Sequence, residues 1–210
     1  MELFEALRVP IGPFFLRLDV RKASKRLEGW DESFHKRLLH AVDDMKDRGL
    51  PVYFAFVISD EINVLVGEVF SRRLEKIVSV FSSIASIRVG MPLDARVVYT
   101  PSLLSAITYL RRRQELGGRN AILKEAFDEA FSRLGDRRKA HAEVSEKPLD
   151  KLRKEYARKV PKRALYGSIR HKGETRIARP FGSEKGARSL LEILKETPLE
   201  RYEELVRNRV

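Results

Sequence analysis

The chain has 210 residues, no cysteine and a formal net charge of +12. The lack of cysteine excludes disulfides, thiol chemistry and Cys-based zinc sites, and with only four histidines a histidine metal site is not expected. Hydrophobic residues make up 43%, enough for a substantial core. No apolar run is as long as a membrane span, and the start MELFEALRVP lacks signal-peptide features. We therefore expect a cytoplasmic protein with no membrane partner.

The positive charge is concentrated in one stretch. Residues 137–179 hold 15 Lys and Arg against 5 Asp and Glu, whereas residues 1–136 hold 21 against 19. Such a local imbalance favours a polyanion partner, because Lys and Arg displace condensed counterions from phosphates. The alternative is a mobile, solvated charged arm. The composition divides the chain into a nearly neutral domain, residues 1–135, and a basic C-terminal region, residues 136–210.

Hydrophobic periodicity in the first half predicts the order strand, helix, strand, strand, helix, strand. The expected elements are a strand over 14–19, a helix over 33–48, strands over 52–59 and 62–68, a helix over 72–88 and a strand over 93–99. Ser59-Asp60-Glu61 separates the two middle strands and predicts a tight hairpin turn. With right-handed crossovers this βαββαβ pattern folds as a ferredoxin-like antiparallel sheet in the order 4-1-3-2, with both helices on one face.

The second half is predicted to be mainly helical. A helix that follows the fourth strand carries Arg111-Arg112-Arg113 and is expected to break at Gly117-Gly118, with a further helix over 120–134. The three arginines are interpreted either as phosphate contacts or as a solvated helix end favoured by the helix dipole. Two short helices flank Pro198 near the C-terminus. They are predicted to serve packing or subunit contacts.

Two carboxylates are expected to converge on one rim of the predicted sheet. Asp19 ends the first strand and Asp60 lies in the turn between the second and third strands. In the 4-1-3-2 order those two places are neighbours, so Asp19 and Asp60 should meet. Paired carboxylates beside a basic surface suit Mg²⁺ ions that bridge triphosphate oxygens. The alternative reading of Asp60 is an ordinary turn residue. Asp94 is interpreted as structural.

Several short motifs resemble the histidine-tRNA guanylyltransferase family, and more closely its guanylyltransferase-like 3′-to-5′ polymerases. The matching pieces occur in the family's order over about residues 14–125: Arg17-Leu18-Asp19, Ser59-Asp60-Glu61, Phe70-Ser71-Arg72-Arg73 followed by Lys76, Leu93-Asp94-Ala95-Arg96-Val97-Val98, and Tyr109-Leu110 through Arg113-Gln114. Each piece alone is weak, whereas their order and spacing together are fairly specific. The resemblance implies a polymerase-palm fold for residues 1–135.

The resemblance also implies a function and a site. It implies that nucleotides are added to the 5′ end of tRNA in the 3′-to-5′ direction, with ATP and GTP as substrates and two Mg²⁺ ions as cofactor. Asp19, Asp60 and the Val20 carbonyl would hold the metals, with Glu61 as a supporting acidic residue of the catalytic site. Nucleotide contacts would come from Arg17, Val20, Ser59 and Lys76. The family further implies a homotetramer, arranged as a dimer of dimers.

The basic residues of the second half are predicted to bind the tRNA partner. The candidates are Arg111, Arg112, Arg113, Arg137, Arg138, Lys139, Arg153, Lys154, Arg158, Lys159, Lys162 and Arg163.

Two departures from the family pattern bear on its activity. Val20 stands where the family usually has Gly, and Gly118-Arg119-Asn120-Ala121 stands where it has His-Ile-Asn-Asn. These differences favour templated 5′-end repair over guanylylation specific to histidine tRNA. Two other functions remain open: a palm-fold nucleotide cyclase, which would want Gly-Gly where this chain has Ile58-Ser59, and a non-catalytic RNA-binding module, which would need exposed aromatics on the central strands.

Overall fold

The computed structural model describes residues 7–9, 12–21, 23, 30–67 and 73–199. Within these ranges six strands form one antiparallel sheet in the order β4-β1-β3-β2-β5-β6. The strands are β1 (Phe14–Val20), β2 (Val52–Ile58), β3 (Glu61–Val66), β4 (Leu93–Val98), β5 (Ser168–His171) and β6 (Glu174–Ile177). The first four strands stand in the predicted order, so the α+β palm-type fold is confirmed. Residues 70–72 of the family motif and residues 200–210 of the C-terminal helix pair lie outside the described residues.

Seven helices accompany the sheet within the described residues. They are α1 (Glu32–Asp47), α2 (Leu74–Val89), α3 (Leu103–Leu134), α4 (Arg137–Glu146), α5 (Leu149–Tyr156), α6 (Lys162–Tyr166) and α7 (Glu184–Lys195). The predicted pair, α1 and α2, covers one face of the sheet and buries one main core there. Asp31 caps α1 by accepting from the amides of Ser33 and Phe34, which would otherwise lack partners. No helix in the described ranges is both long and apolar enough to cross a bilayer.

The opposite face of the sheet is covered as well, which the sequence analysis did not predict. Phe15, Phe54 and Phe56 are fully buried there against the first half of α3 and against α7. In a β-strand successive side chains point to opposite faces, so β1 contributes Phe14 to one core and Phe15 to the other. Helix α7 contributes Leu190 and Leu194 to this second core. This confirms the predicted packing role for α7, the helix that precedes Pro198.

Helix α3 runs without interruption through Gly117-Gly118, so the predicted break there is wrong. The two glycines mark a close crossing instead. A Cβ on Gly117 would lie 2.6 Å from the Ile58 side chain, and a Cβ on Gly118 would lie 2.7 Å from the carbonyl oxygen of Leu165. The glycines therefore let the helix pass close to the end of β2 and to α6. Beyond this point α3 extends for a further 16 residues, or about 24 Å, past the sheet.

Residues 136–199 of the basic region are folded onto the rest of the chain. Helices α4, α5 and α6 pack on the second half of α3 around a third apolar cluster. Strand β5 then pairs with β2, and β6 pairs with β5, so residues 168–177 extend the sheet. The Gln114 amide donates to the carbonyls of Tyr166 (2.8 Å) and Arg179 (2.9 Å) and accepts from the Phe181 amide (2.6 Å). These bonds hold Tyr166, Arg179 and Phe181 against α3.

Helix α1 makes a second set of contacts to the basic region. Glu32 pairs with Arg163, Asp43 pairs with Arg170, and the buried His35 lies 2.8 Å from the Ser168 hydroxyl. Burial lowers the pKa of His35 from 6.5 to about 4, with the nearby Arg163 charge acting in the same direction against an opposing effect of Glu32. The imidazole is therefore neutral at pH 7.

Candidate active site

The turn between β2 and β3 meets the end of β1. Ser59 and Asp60 form a two-residue turn, because Ile58 and Glu61 are register partners on either side. Ser59 takes a positive φ of 53°, which a tight hairpin requires and which is uncommon outside glycine. The Val20 amide donates to the Asp60 carbonyl at 3.1 Å. The backbone positions of Asp19 and Asp60 are thereby adjacent on one rim.

Two rows of polar side chains cross the sheet next to this rim. Asp94, Asp19 and Glu61 are direct register partners on β4, β1 and β3. Two residues away, Arg96, Arg17 and Asn63 are partners on the same three strands. Residues two apart on a strand share a face, so a carboxylate row lies beside a row with two arginines. Opposite charges so placed attract across strands.

Asp19 is held by two arginines of the neighbouring row. Arg17 Nε and Nη2 lie 3.1 and 2.5 Å from Asp19 Oδ1, and Arg96 Nη2 lies 3.2 Å from Oδ2. The Arg96 contact is within ion-pair distance but lacks hydrogen-bond geometry, so Oδ2 is buried without a hydrogen-bond partner. A buried anionic oxygen without such a partner carries a desolvation cost that a bound cation would remove.

Glu61 is more deeply enclosed than Asp19, with only 7% of its side chain exposed. Arg113 of α3 approaches both carboxylate oxygens, with its Nε 2.7 Å from Oε1 and its Nη2 on Oε2. The Asn63 amide donates to Oε1 at 2.8 Å, and Arg17 Nη2 lies 3.2 Å from Oε2. The Tyr109 hydroxyl in turn donates to Oδ1 of the Asn63 side chain at 2.5 Å. The Glu61 carboxylate is fully hydrogen-bonded.

The pKa values of the α3 residues follow from this enclosure. Burial raises the pKa of Tyr109, and the charge of Glu61 adds to that effect, so the phenol stays a hydrogen-bond donor. Burial works against the charged form of Arg113, but its hydrogen bonds to Glu61 and the Glu61 charge outweigh this, and its pKa is raised. At neutral pH Tyr109 is therefore a neutral phenol and Arg113 a charged guanidinium.

The donor atoms at the rim suit Mg²⁺. Mg²⁺ is usually bound by one or two carboxylates, with water and substrate phosphates completing its coordination. Across residues 7–9, 12–21, 23, 30–67 and 73–199, no group of three or more His, Asp or Glu side chains is arranged to hold a metal unaided. Asp19, whose Oδ2 has no hydrogen-bond partner, and Asp60 would offer two carboxylates, and Val20 a carbonyl, to an ion that arrives with a triphosphate.

The predicted nucleotide contacts divide into two groups. Arg17, Val20 and Ser59 all lie at the rim with Asp19 and Asp60. Lys76 does not, because it lies near the start of α2, whereas the end of α2 leads into β4 at the rim. Lys76 and Val89, the last residue of α2, are about 20 Å apart along the helix axis. The structure therefore does not bring Lys76 to the carboxylates.

The twelve predicted RNA-contacting cations also divide into two groups. Eight are exposed and make no ion pair with any described residue: Arg112, Arg137, Arg138, Lys139, Arg153, Lys154, Arg158 and Lys162. The other four are paired with acids: Arg111 with Glu115, Arg113 with Glu61, Lys159 with Glu129, and Arg163 with Glu32. Arg113 differs from the rest because its side chain is only 19% exposed. Seven of the exposed cations lie on α4 to α6 and the segments that link them. These helices pack on the half of α3 that follows its crossing of Ile58 at the rim.

Sequence reasoning missed Arg96, Asn63 and Tyr109 as members of the site. A signal was available for the last, since Tyr109 and Arg113 fall one turn apart on the same side of α3 as the buried Ala106 and Leu110. Polar residues in a buried helical stripe need partners. The polar Asn63 inside the apolar strand β3 is a comparable signal.

Comparisons with known proteins support the fold. No protein-family profile matches the chain, and a search of curated proteins finds no match. Among solved structures, tRNA(His) guanylyltransferase from Saccharomyces cerevisiae is 15% identical, with a TM-score of 0.66 over 80% of this chain and 89% of that one. A bacterial tRNA(His) guanylyltransferase-like protein is 14% identical over 90% of this chain and 93% of that one. Its complex with ATP gives a TM-score of 0.71, and its complex with GTP gives 0.61.

The chain therefore belongs to the α+β proteins with a palm-type sheet. More particularly, it has the fold of the tRNA(His) guanylyltransferases and their bacterial relatives. The family resemblance drawn from the short motifs agrees with these structural neighbours.

Proposed function

We propose that the protein is a nucleotidyltransferase that adds nucleotides to the 5′ end of tRNA in the 3′-to-5′ direction. The observation that carries this proposal is the hydrogen bond from Val20 to Asp60, which brings Asp19 and Asp60 to one rim. The structural neighbours are a tRNA(His) guanylyltransferase and a bacterial guanylyltransferase-like protein, and the latter was solved in complex with ATP and with GTP. Exposed cations on α4 to α6 suit a polyanion such as tRNA.

In the proposed reaction the 3′-hydroxyl of the incoming nucleotide attacks an activated phosphate at the 5′ end of the tRNA. A phosphorus–oxygen bond forms, the bond to the leaving group breaks, and the hydroxyl proton is released. Asp19 and Asp60, with the Val20 carbonyl, would hold Mg²⁺. Bound Mg²⁺ supplies charge neutralisation at the leaving phosphates and lowers the pKa of the attacking hydroxyl. Arg17 and Arg96 exchange their contacts with Asp19 for contacts with phosphate oxygens, since guanidinium groups bind both.

The second half of α3 places the basic helices beside this rim. Gly117 passes Ile58, which lies two residues before Asp60. The helix then continues toward α4 and α5, where the exposed cations lie. A tRNA bound along these helices would present one end to the carboxylates. We propose that residues 136–210 form the part that binds RNA and that four subunits assemble as a dimer of dimers.

The non-catalytic RNA-binding module has less support. Such modules stack bases on exposed aromatics of the central strands. Here Phe14 and Phe15 of β1 are fully buried, and β3 has no aromatic residue. Tyr53 is exposed, but it lies near the start of β2, at the end of that strand away from Asp60.

One experiment tests the proposal. The protein is incubated with Mg²⁺, labelled nucleoside triphosphates and tRNA that lacks its first 5′ nucleotide. The expected result is label at the tRNA 5′ end, lost in Asp19→Asn and Asp60→Asn and retained in the control Asp47→Asn, whose side chain is exposed at the far end of α1. Cyclic or dimeric nucleotides as products would indicate a cyclase. Tight RNA binding with no product would indicate the non-catalytic module.

A further inference from the structure

Arg17 is shared between two carboxylates of the site. Its Nη2 lies 2.5 Å from Asp19 Oδ1 and 3.2 Å from Glu61 Oε2, and its Nε lies 3.1 Å from Asp19 Oδ1. The shorter distances favour Asp19. The side chain of Glu61 is much the more buried of the two, 7% exposed against 24% for Asp19. A buried carboxylate attracts a nearby cation more strongly than an exposed one, so something must offset the attraction of Glu61.

Arg113 supplies that offset from the opposite side. Its guanidinium makes two parallel hydrogen bonds to Glu61, the geometry of the strongest charge-assisted pairs. Tyr109, one turn earlier on α3, fixes the Asn63 amide, which donates to the same carboxylate. Arg113 directly, and Tyr109 through Asn63, therefore provide Glu61 with hydrogen-bond donors, so the carboxylate does not need Arg17 as a partner.

We propose that Arg113 is a positioning residue that neutralises Glu61 and thereby leaves Arg17 on Asp19 at the rim. This inference rests on the proposed function, in which Arg17 passes from Asp19 to the triphosphate. It moves Arg113 from the predicted RNA contacts to the nucleotide side of the site. Without Arg113, Arg17 would turn toward Glu61, away from both Asp19 and the incoming phosphates.

A double-mutant cycle on stability tests the first part without any ligand. The free energy of unfolding is measured for Arg113→Gln, Asp19→Asn and the double variant. We expect Asp19→Asn to cost less in the Arg113→Gln background, because Arg17 has already left Asp19. Effects that simply add would overturn the proposal.

The double variant Glu61→Gln/Arg113→Gln, which lacks both charges, keeps the test valid if Arg113→Gln alone fails to fold. Removing one partner of a buried pair leaves an uncompensated charge, whereas removing both does not. In Glu61→Gln/Arg113→Gln neither charge remains, so Arg17 returns to Asp19. The cost of Asp19→Asn in this background must then match its cost in the wild type, and a reduced cost would contradict the mechanism.

Binding measurements test the second part. Arg113→Gln is expected to weaken affinity for a Mg²⁺–triphosphate by about tenfold while leaving affinity for tRNA unchanged. Arg113→Lys, which keeps the charge but loses the two-pronged contact, should restore part of the nucleotide affinity. The matched control, Arg119→Gln, alters an exposed arginine on the same helix and should leave nucleotide affinity unchanged. Weakened tRNA binding with unchanged nucleotide binding would overturn the proposal. If the wild type binds no triphosphate, the proposed function fails, and the unfolding cycle still decides the role of Arg113.

Discussion

The Val20 amide and the Asp60 carbonyl form a 3.1 Å hydrogen bond that joins the end of β1 to the β2–β3 turn. This bond makes Asp19 and Asp60 neighbours although the whole of α1 and β2 separates them in the chain. The two carboxylates differ in their surroundings. Asp19 is paired with Arg17 and Arg96, whereas Asp60 makes no ion pair with any residue that the structure describes.

This difference predicts distinct effects of the two asparagine variants on stability. Asp60→Asn should change the free energy of unfolding by less than about 0.5 kcal/mol, because no described cation loses a partner. Asp19→Asn should cost about 1 kcal/mol, the upper range for partly exposed ion pairs. Both should reduce nucleotide transfer by about 100-fold or more if they hold the metals. Denaturant unfolding and a transfer assay check these values. Normal transfer by Asp60→Asn would contradict the proposed metal site.

The sheet order and the meeting of Asp19 with Asp60 could be predicted because they depend on local patterns. Alternating strands, amphipathic helices and right-handed crossovers leave few possible arrangements. The contact between Glu61 and Arg113 could not be predicted in this way, because it depends on the angle at which α3 crosses the sheet. The close approach of α3 to β2 and α6 depends on Gly117 and Gly118, which a sequence pattern presents as helix breakers.

Strands β5 and β6 were missed for a related reason. Their sequences, SIRH and ETRI, are short and largely polar, and β6 is exposed throughout. The hairpin is specified by the Lys172-Gly173 turn, in which both residues take positive φ. Its attachment depends on pairing with β2, a strand more than 100 residues earlier. Nothing local in the sequence indicates that partner.

The crossing at the two glycines leads to a prediction about alanine variants. The Cβ of Gly118→Ala would lie 2.7 Å from a backbone carbonyl that cannot rotate away, an overpacking cost of about 1–3 kcal/mol. Alanine gains about 1 kcal/mol in a helix interior, so we expect a net destabilisation of up to about 2 kcal/mol. Unfolding free energies measure the difference, and a Gly118→Ala variant more stable than the wild type would refute the close crossing.

Gly117→Ala should behave differently, since its Cβ would meet the Ile58 side chain rather than backbone. Shortening that side chain in Ile58→Val removes the nearest methyl group. The cost of Gly117→Ala should therefore be smaller in the Ile58→Val background than in the wild type, as coupling between contacting residues requires. The same background should not lessen the cost of Gly118→Ala, which makes that variant the internal control.

The buried His35 predicts an acid-sensitive junction between α1 and β5. Its pKa falls from 6.5 to about 4 on folding, mainly through burial. Between these values the unfolded chain binds a proton that the folded protein does not bind, so stability is complete above pH 6.5 and declines as the pH falls toward 4. The loss amounts to about 3 kcal/mol at most. Denaturant unfolding between pH 4 and 7.5 should show it.

His35→Gln should flatten this dependence, because glutamine does not titrate and can still bond to Ser168. His40→Gln is the matched control, since His40 is exposed on the same helix. The difference between the two curves reports the contribution of His35. Identical curves would mean that burial does not lower the pKa of His35.

The division of the cations into exposed and paired groups predicts which of them bind RNA. Lys154 is exposed and makes no ion pair with a described residue, whereas Lys159 is paired with Glu129. Each phosphate contact contributes about 0.9 to the slope of log affinity against log salt for a duplex. Lys154→Gln should therefore weaken tRNA binding and lower the slope by about that amount. Lys159→Gln should change both much less, because Glu129 already neutralises its charge. Binding titrations over a range of salt concentrations compare the two variants. Equal losses from both would show that Lys159 leaves Glu129 for the RNA, and no loss from Lys154→Gln would place the tRNA elsewhere on the protein.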